Sequence, residues 1–244
     1  MAQPTIGEIF IHHLGLIGRL SEEDKQALLS IRGEIRDLRR GEDVLRDGDR
    51  PTYSVVVISG LLQRYTMSPE GKRQIHSFYL PTDTPCLEAV HIGVMDNNLG
   101  AITQSRVGIV PFPELFRVMD THPNLTALMW RETLVQASIL RAWLMRNSQT
   151  LAHEQMAHLF CEIMTRAKAA GLAQGDTCDL PIRQEDLGDA LGMTNVHVNR
   201  TLQLLRATGS VEFQRGKLTI MDWEQLVEIA QFDGSYLHLP EAGT

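Results

Sequence analysis

Between Gln184 and Arg206 apolar residues recur with helical period in two short runs: Leu187 and Leu191, then Val198, Leu202 and Leu205. The break between them holds Gly192, which suits a left-handed turn, and Thr194, which can cap a second helix, while Gly188 is small where the two helices would cross. The spacing predicts two short helices joined by a tight turn. After them, Val211–Phe213 and Leu218–Ile220 flank Gln214-Arg215-Gly216-Lys217, two short strands around a basic glycine turn.

From about Ile35 the pattern is of another kind. Short β-prone runs (Asp43–Leu45, Tyr53–Ile58, Leu61–Met67, Gln74–Tyr79, Ala101–Gln104 and Val107–Val110) are separated by turn signals at Gly41, Asp47-Gly48, Gly60, Pro69-Glu70-Gly71 and Pro81-Thr82-Asp83. Regular spacing of this sort predicts a double-sheet jelly roll. Residues 6–30 predict one or two short helices, with Ser21 as a cap ahead of Glu22-Glu23-Asp24. Helical period returns near Pro111. Residues 123–147 form one long helix with two apolar stripes, Leu128/Val135/Ile139/Ala142 and Trp130/Leu134/Ala137/Leu140/Leu144. One chain's sheet can cover only one stripe. The helix is therefore a candidate seam between two copies, along the Trp130 stripe and at the interface positions Leu128, Val135, Ile139 and Ala142. A further helix, Leu151–Ala170, should stop at Gly171.

These elements predict an α+β chain: an N-terminal jelly roll, or double-stranded β-helix, over 1–122, a dimerisation helix over 123–149, and a C-terminal winged helix-turn-helix over 150–244. The chemistry of the second short helix points to DNA. Past Thr194 no carboxylate occurs before Glu212, and the face opposite the apolar positions carries Asn195, Val196, His197, Asn199, Arg200, Gln203 and Arg206. Such donors, cations and a methyl-bearing side chain read base edges and phosphates. The net charge of −7 over 244 residues excludes a protein that coats nucleic acid indiscriminately, and leaves a local cationic face on an acidic body.

Three scattered cysteines, Cys86, Cys161 and Cys178, make neither a disulfide framework nor a zinc site and are expected to be reduced, packed thiols. No apolar run approaches the roughly 20 residues of a membrane span and no basic-then-apolar leader precedes the first helix, so the expected location is the cytoplasm. His153-Glu154 and His158 imitate a metalloprotease motif, but histidines five apart lie about 140° apart around a helix. His158 and Cys161 alone are too few for a metal site. No phosphate loop or nucleophile elbow occurs, and no enzyme or metal is expected.

Over nearly its whole length the chain resembles the Crp/Fnr family of bacterial transcription regulators. The resemblance is carried by R40-G41-E42-D43-V44-L45-R46-D47-G48-D49, S59-G60-L61-L62, P69-E70-G71-K72-R73-Q74-I75 and the run Asp186–Leu202, in that order and spacing. It implies a homodimer with a sensing roll, a cyclic-nucleotide-binding-like domain, and two recognition helices docked in successive major grooves of near-palindromic double-stranded DNA. RNA polymerase is an implied partner if the chain activates. The family's recognition arginine falls on Arg200, implying a contact to guanine O6 and N7, while the accompanying glutamate is replaced by Val196, which suits a thymine methyl. Asn195 and Asn199 are further base readers; His197, Gln203, Arg206, Arg183, Arg215 and Lys217 are expected on the backbone. Arg183 stands where the family places a capping Thr or Ser, a loss of about 1 kcal/mol.

The family's effector pocket maps to Thr82, Asp83, Cys86, Met95 and Asp96. The Gly-Glu and Arg-Ser pairs that hold a cyclic nucleotide become Thr82-Asp83 and Met95-Asp96, and an aspartate repels a phosphate, so cyclic AMP is not the expected effector. A four-cysteine iron–sulfur cluster is excluded, since the chain has three cysteines, none before residue 86. Thiol sensing through Cys86 is disfavoured in a packed roll. The alternative is a ligand-sensing or protein-interaction module with a vestigial helix-turn-helix, which the net acidity and the missing glutamate favour.

Overall fold

The computed structural model describes residues 4–239. In chain order the elements are α1 (Ile6–Gly15), α2 (Glu22–Leu29), β1 (Glu34–Leu38), β2 (Asp43–Leu45), β3 (Tyr53–Ser59), β4 (Leu62–Met67), β5 (Arg73–Tyr79), α3 (Ala89–Ile92), β6 (Asn98–Ala101), β7 (Ser105–Pro111), α4 (Phe112–Thr121), α5 (Pro123–Gln149), α6 (Ala152–Ala169), β8 (Ala173–Gln174), β9 (Thr177–Asp179), α7 (Gln184–Leu191), α8 (Asn195–Ala207), β10 (Val211–Gln214), β11 (Lys217–Ile220) and α9 (Trp223–Ala230), before a 3-10 turn at Gly234–Leu237. They form two compact units. One gathers the chain up to Thr66 with Ser77–Ala137, and the other gathers Met67–His76 with Ser138–Leu237.

The first unit opens on two helices with reciprocal caps. Thr5 and Glu8 close one box, and Ser21 accepts from the Asp24 amide at 3.0 Å while the Asp24 carboxylate accepts from the Ser21 amide at 2.9 Å, as the acid-rich first turn predicts. The roll consists of two sheets, ordered β1-β7-β3 and β2-β6-β4-β5. Leu38, Val44, Val55, Val57, Leu62, Leu99 and Val107 share a core within the roll, together with Cys86 and Met95. The alternate residues of β3, Val56 and Ile58, join Val110 in a second core with residues of α1, α2, α4 and the first turns of α5. Burial on both faces explains why β3 is an unbroken apolar run.

Two differences from the sequence reading are local. The strand expected at Ala101–Gln104 lies instead at Asn98–Ala101. Gly100 masks it: it resembles a turn signal, yet a Cβ there would come within 2.4 Å of Asp43 Oδ1 on the paired β2. Strand β1 was not anticipated, because Glu34, Ile35 and Asp37 are exposed.

The unit boundaries also differ from 1–122, 123–149 and 150–244. The long helix passes from one unit to the other between Ala137 and Ser138, and the tip of the β4–β5 hairpin, Met67–His76, counts with the second unit. Along α5, Leu128, Val135 and Ile139 are buried within the single chain and Ala142 is half-buried, whereas Trp130 is 62% exposed, Leu134 and Leu140 about half, and Leu144 71%. The interface positions Leu128, Val135 and Ile139 are thus corrected. Their own chain covers them, and the apolar face open to solvent is the Trp130 stripe.

In the second unit a fully buried carboxylate organises the helices. Glu162 on α6 accepts at Oε2 from Trp143 Nε1 of α5 and from the Tyr236 hydroxyl, both at 2.8 Å, and at Oε1 from Arg166 at 3.3 Å. Burial raises the Glu162 pKa, against the lowering effect of Arg166 and the donors. Beside it His158 stacks on Tyr236 and meets Phe232 edge-on.

Candidate nucleic-acid interface

Helices α7 and α8 form where the two apolar runs predict them. Gly192 ends α7 at φ +68°, Thr194 caps α8 by accepting from the His197 amide at 3.3 Å, and Val198, Leu202 and Leu205 are buried together with Thr201. Gly188 meets the turn itself: its carbonyl accepts from the Met193 amide at 2.9 Å, and a Cβ there would lie 2.5 Å from the Met193 carbonyl oxygen. Arg183 cannot act as an acceptor cap. Asp186 supplies the reciprocal half, its Oδ2 accepting from the Arg183 amide at 2.8 Å, so the lost cap is partly replaced.

The outer face of α8 is open. Asn195, Val196, His197, Asn199, Arg200, Gln203 and Arg206 are all exposed, Val196 to 81%. Arg200 has no ion-pair partner among the described residues, so its guanidinium is available to a base edge. Other cations are partly engaged. Arg206 donates to the Phe213 carbonyl and so braces α8 against β10 instead of standing free for phosphate. Arg183 is exposed beside Glu185 at 3.3 Å, and Lys217 lies 3.8 Å from Asp179.

The wing is a two-residue hairpin. Gln214 pairs with Lys217, and Arg215 and Gly216 both take positive φ, +51° and +74°, as a type I′ turn requires. Arg215 therefore sits exposed at the tip. Behind it, β11 pairs with β9 and β9 with β8, giving a four-stranded sheet of order β10-β11-β9-β8. Sequence reading missed β8 and β9. The available signal was Gly175-Asp176, a two-residue turn between Gln174 and Thr177.

The positions mapped to the effector pocket are largely engaged within the fold. Asp83 is turned inward on its own loop, its Oδ2 accepting from the Leu80 amide at 2.7 Å, and Thr82 donates its amide to the Val57 carbonyl. Cys86 and Met95 are core residues, while Asp96 is exposed and accepts from Asn97. Burial, with Glu88 nearby, pushes the Cys86 thiol up to about 12. A half-buried cation in the roll, Arg64, was not singled out by sequence reading. Its guanidinium pairs with Glu88 and donates to the Tyr79 hydroxyl at 3.0 Å. Arg64 shares the inward face of β4 with Leu62, so period alone gives a cation no distinction there. A cleft of about 340 Å³ in this unit opens elsewhere, between Leu87, Val90 and Ile92 on one side and Leu115, Met119, Met129 and Trp130 on the other. Among the described residues no group of three or more His, Cys, Asp or Glu could hold a metal ion, and no helix is long and apolar enough to cross a membrane.

A helix pair with an exposed, acid-free reading face and a basic wing, following a β-roll and a long helix, defines a winged helix-turn-helix DNA-binding protein. Residues 154–229 match the family model for the Crp-like helix-turn-helix domain. The chain is 25% identical to the transcriptional activator protein FnrL of Cereibacter sphaeroides over 94% of this chain and 95% of that protein. It is 28% identical to the nitrogen fixation regulation protein FixK of Bradyrhizobium diazoefficiens over 75% and 76%. Among solved structures, FixK2 from Bradyrhizobium japonicum has the same fold, with a TM-score of 0.72 at 22% identity over 82% of this chain and 98% of that one. Residues 154–229 thus carry a Crp-like helix-turn-helix domain, and over nearly its whole length the chain is similar to DNA-binding transcription regulators of the Crp/Fnr type. Nothing in these likenesses supports a vestigial helix-turn-helix.

Proposed function

We propose that the protein acts as a cytoplasmic homodimer that reads a near-palindromic DNA site through Arg200, with Val196 against a thymine methyl and Asn195 and Asn199 on neighbouring base edges. The observation that carries this reading is the exposed outer face of α8, free of carboxylates, on which Arg200 stands without a counter-ion. Arg183, His197, Gln203, Arg215 and Lys217 supply backbone contacts, and Arg206 holds the wing against the helix. The solvent-facing stripe Trp130, Leu134, Leu140 and Leu144 is the seam, a heptad-like row that a second α5 would bury. The two recognition helices then stand about 34 Å apart, one turn of B-form DNA. RNA polymerase is a partner if the protein activates.

The roll interior does not fit a cyclic nucleotide. Arg64, a half-buried cation, is already matched by Glu88, and Asp83 is committed to its own loop. Nor do the thiols fit a four-cysteine cluster. Cys86, Cys161 and Cys178 are buried on separate elements, and burial pushes the Cys161 thiol up to about 12 and Cys178 to about 11. Selection of binding sites from random-sequence duplexes tests the reading: a two-fold symmetric motif with half-sites one helical turn apart is expected, and no enriched motif would overturn it.

A further inference from the structure

The tip of the β4–β5 hairpin, residues 67–76, belongs to the roll by sequence but groups with the unit of α7 and α8. At its far strand, Arg73 reaches two carboxylates three residues apart on α7: Nε donates to Asp189 Oδ2 and Nη2 to Asp186 Oδ1, both at 2.7 Å. The Asp186 side chain is 2% exposed and its other oxygen holds the Arg183 amide, so this carboxylate closes the start of α7 and receives the guanidinium at once. The other end of α7 is held too. The Ala190 carbonyl, one of the last in the helix and lacking an intrahelical partner, accepts from Asn147 of α5 at 3.1 Å and from Gln74 of the hairpin at 3.4 Å. Through the Gly188–Met193 contact, whatever fixes α7 fixes the turn and the first residues of α8.

We propose that Arg73 is a positioning residue for DNA reading: an ion clamp by which the roll's hairpin holds α7, and with it the recognition helix α8, in the reading arrangement. The inference rests on the DNA-reading role proposed above and adds how the roll reaches it. Strand β5 carries the clamp at its first residue and ends at Tyr79, whose hydroxyl is bonded to the half-buried Arg64 of the roll. A change at that bond is thus one short strand away from the clamp. Arg73 also neutralises two of the acids on the DNA-binding unit, which would otherwise repel phosphate. The clamp touches α7 and leaves the outer face of α8 exposed, so it supports binding and does not block it.

The test uses the full chain and the selected operator, with Arg73→Ala, Arg73→Lys and Asp189→Asn, a partner change that spares the cap at Asp186. Fluorescence anisotropy should show Arg73→Ala weakening operator binding about tenfold with the active fraction unchanged, Arg73→Lys recovering part of the loss, and Asp189→Asn adding little on top of Arg73→Ala. Hydrogen exchange should show faster amides in α7 and the start of α8, with β3 unaffected. Unchanged affinity and exchange in Arg73→Ala would overturn the clamp, as would a lower active fraction at unchanged Kd, which marks a folding defect alone. If the unaltered chain selects no operator, the DNA-reading proposal falls. The exchange rates then decide the clamp by themselves: faster amides in α7 sustain it and unchanged amides refute it.

Discussion

Among the described residues Arg200 has no ion-pair partner, unlike several cations around it. Arg206 is engaged with the Phe213 carbonyl, Lys217 stands near Asp179 and Arg183 near Glu185, so substitutions at these positions should have different signatures. Arg200→Ala is expected to cost about 1–3 kcal/mol on the selected operator and far less on random duplex, whereas Lys217→Ala should weaken all sequences alike and flatten the salt dependence by about one phosphate contact. Titrations of both duplexes at several salt concentrations separate the two. Gly188→Ala places a methyl 2.5 Å from a backbone oxygen in a turn that cannot yield, and should destabilise by about 1–3 kcal/mol, seen as a lower urea midpoint at constant slope. The reading helix and its basic tip were legible in the sequence because their side chains point outward and their roles depend on local spacing. Arg64 and Arg73 were not. Each acts through partners distant in sequence, Glu88 for the one and Asp186 and Asp189 for the other, and no local pattern announces such a pairing.

At the level of elements, the capped helices α1 and α2, strands β2 to β5, β7, the helix-turn-helix and the wing follow the periodicity closely, while β6, β8 and β9 do not. Strands of two to four residues carry too few alternations to stand out, and Gly100 inside β6 resembles a terminator although it is there for a close approach. The two stripes of α5 were both visible, but which of them the chain itself covers depends on the tertiary core. The exposed stripe yields the next expectation. Leu134→Glu and Leu144→Glu, on positions 52% and 71% exposed, should convert a dimer into monomers in sedimentation equilibrium with each chain still folded by circular dichroism. A dimer that persists in both variants would place the seam elsewhere.

For the molecule as a whole, pH should act through α6. Burial, with Arg146 adding to it, lowers the His158 pKa to about 4 from the ordinary 6.5, so the folded chain keeps the ring neutral in a range where the unfolded chain takes up a proton. Stability from this site is then complete above about pH 6.5, falls as pH drops, and is lost near 4, a change of up to about 3 kcal/mol. Urea midpoints measured from pH 4 to 7.5 should rise through that window, and His158→Gln should flatten the rise. The overall order of roll, long helix and winged domain was readable because each has its own period. The division into two units cuts across these periods, since α5 spans both and residues 67–76 group with the second.

The bond from Tyr236 to the buried Glu162 carries a consequence for genetics. A nonsense codon between positions 221 and 236 would still allow translation of every base-contacting side chain, the wing included. The truncated product would nonetheless leave an interior anion short of one of its donors and open the aromatic stack over His158. Such alleles should behave as nulls through loss of protein, while missense changes on the outer face of α8 should accumulate normally and fail only at the promoter.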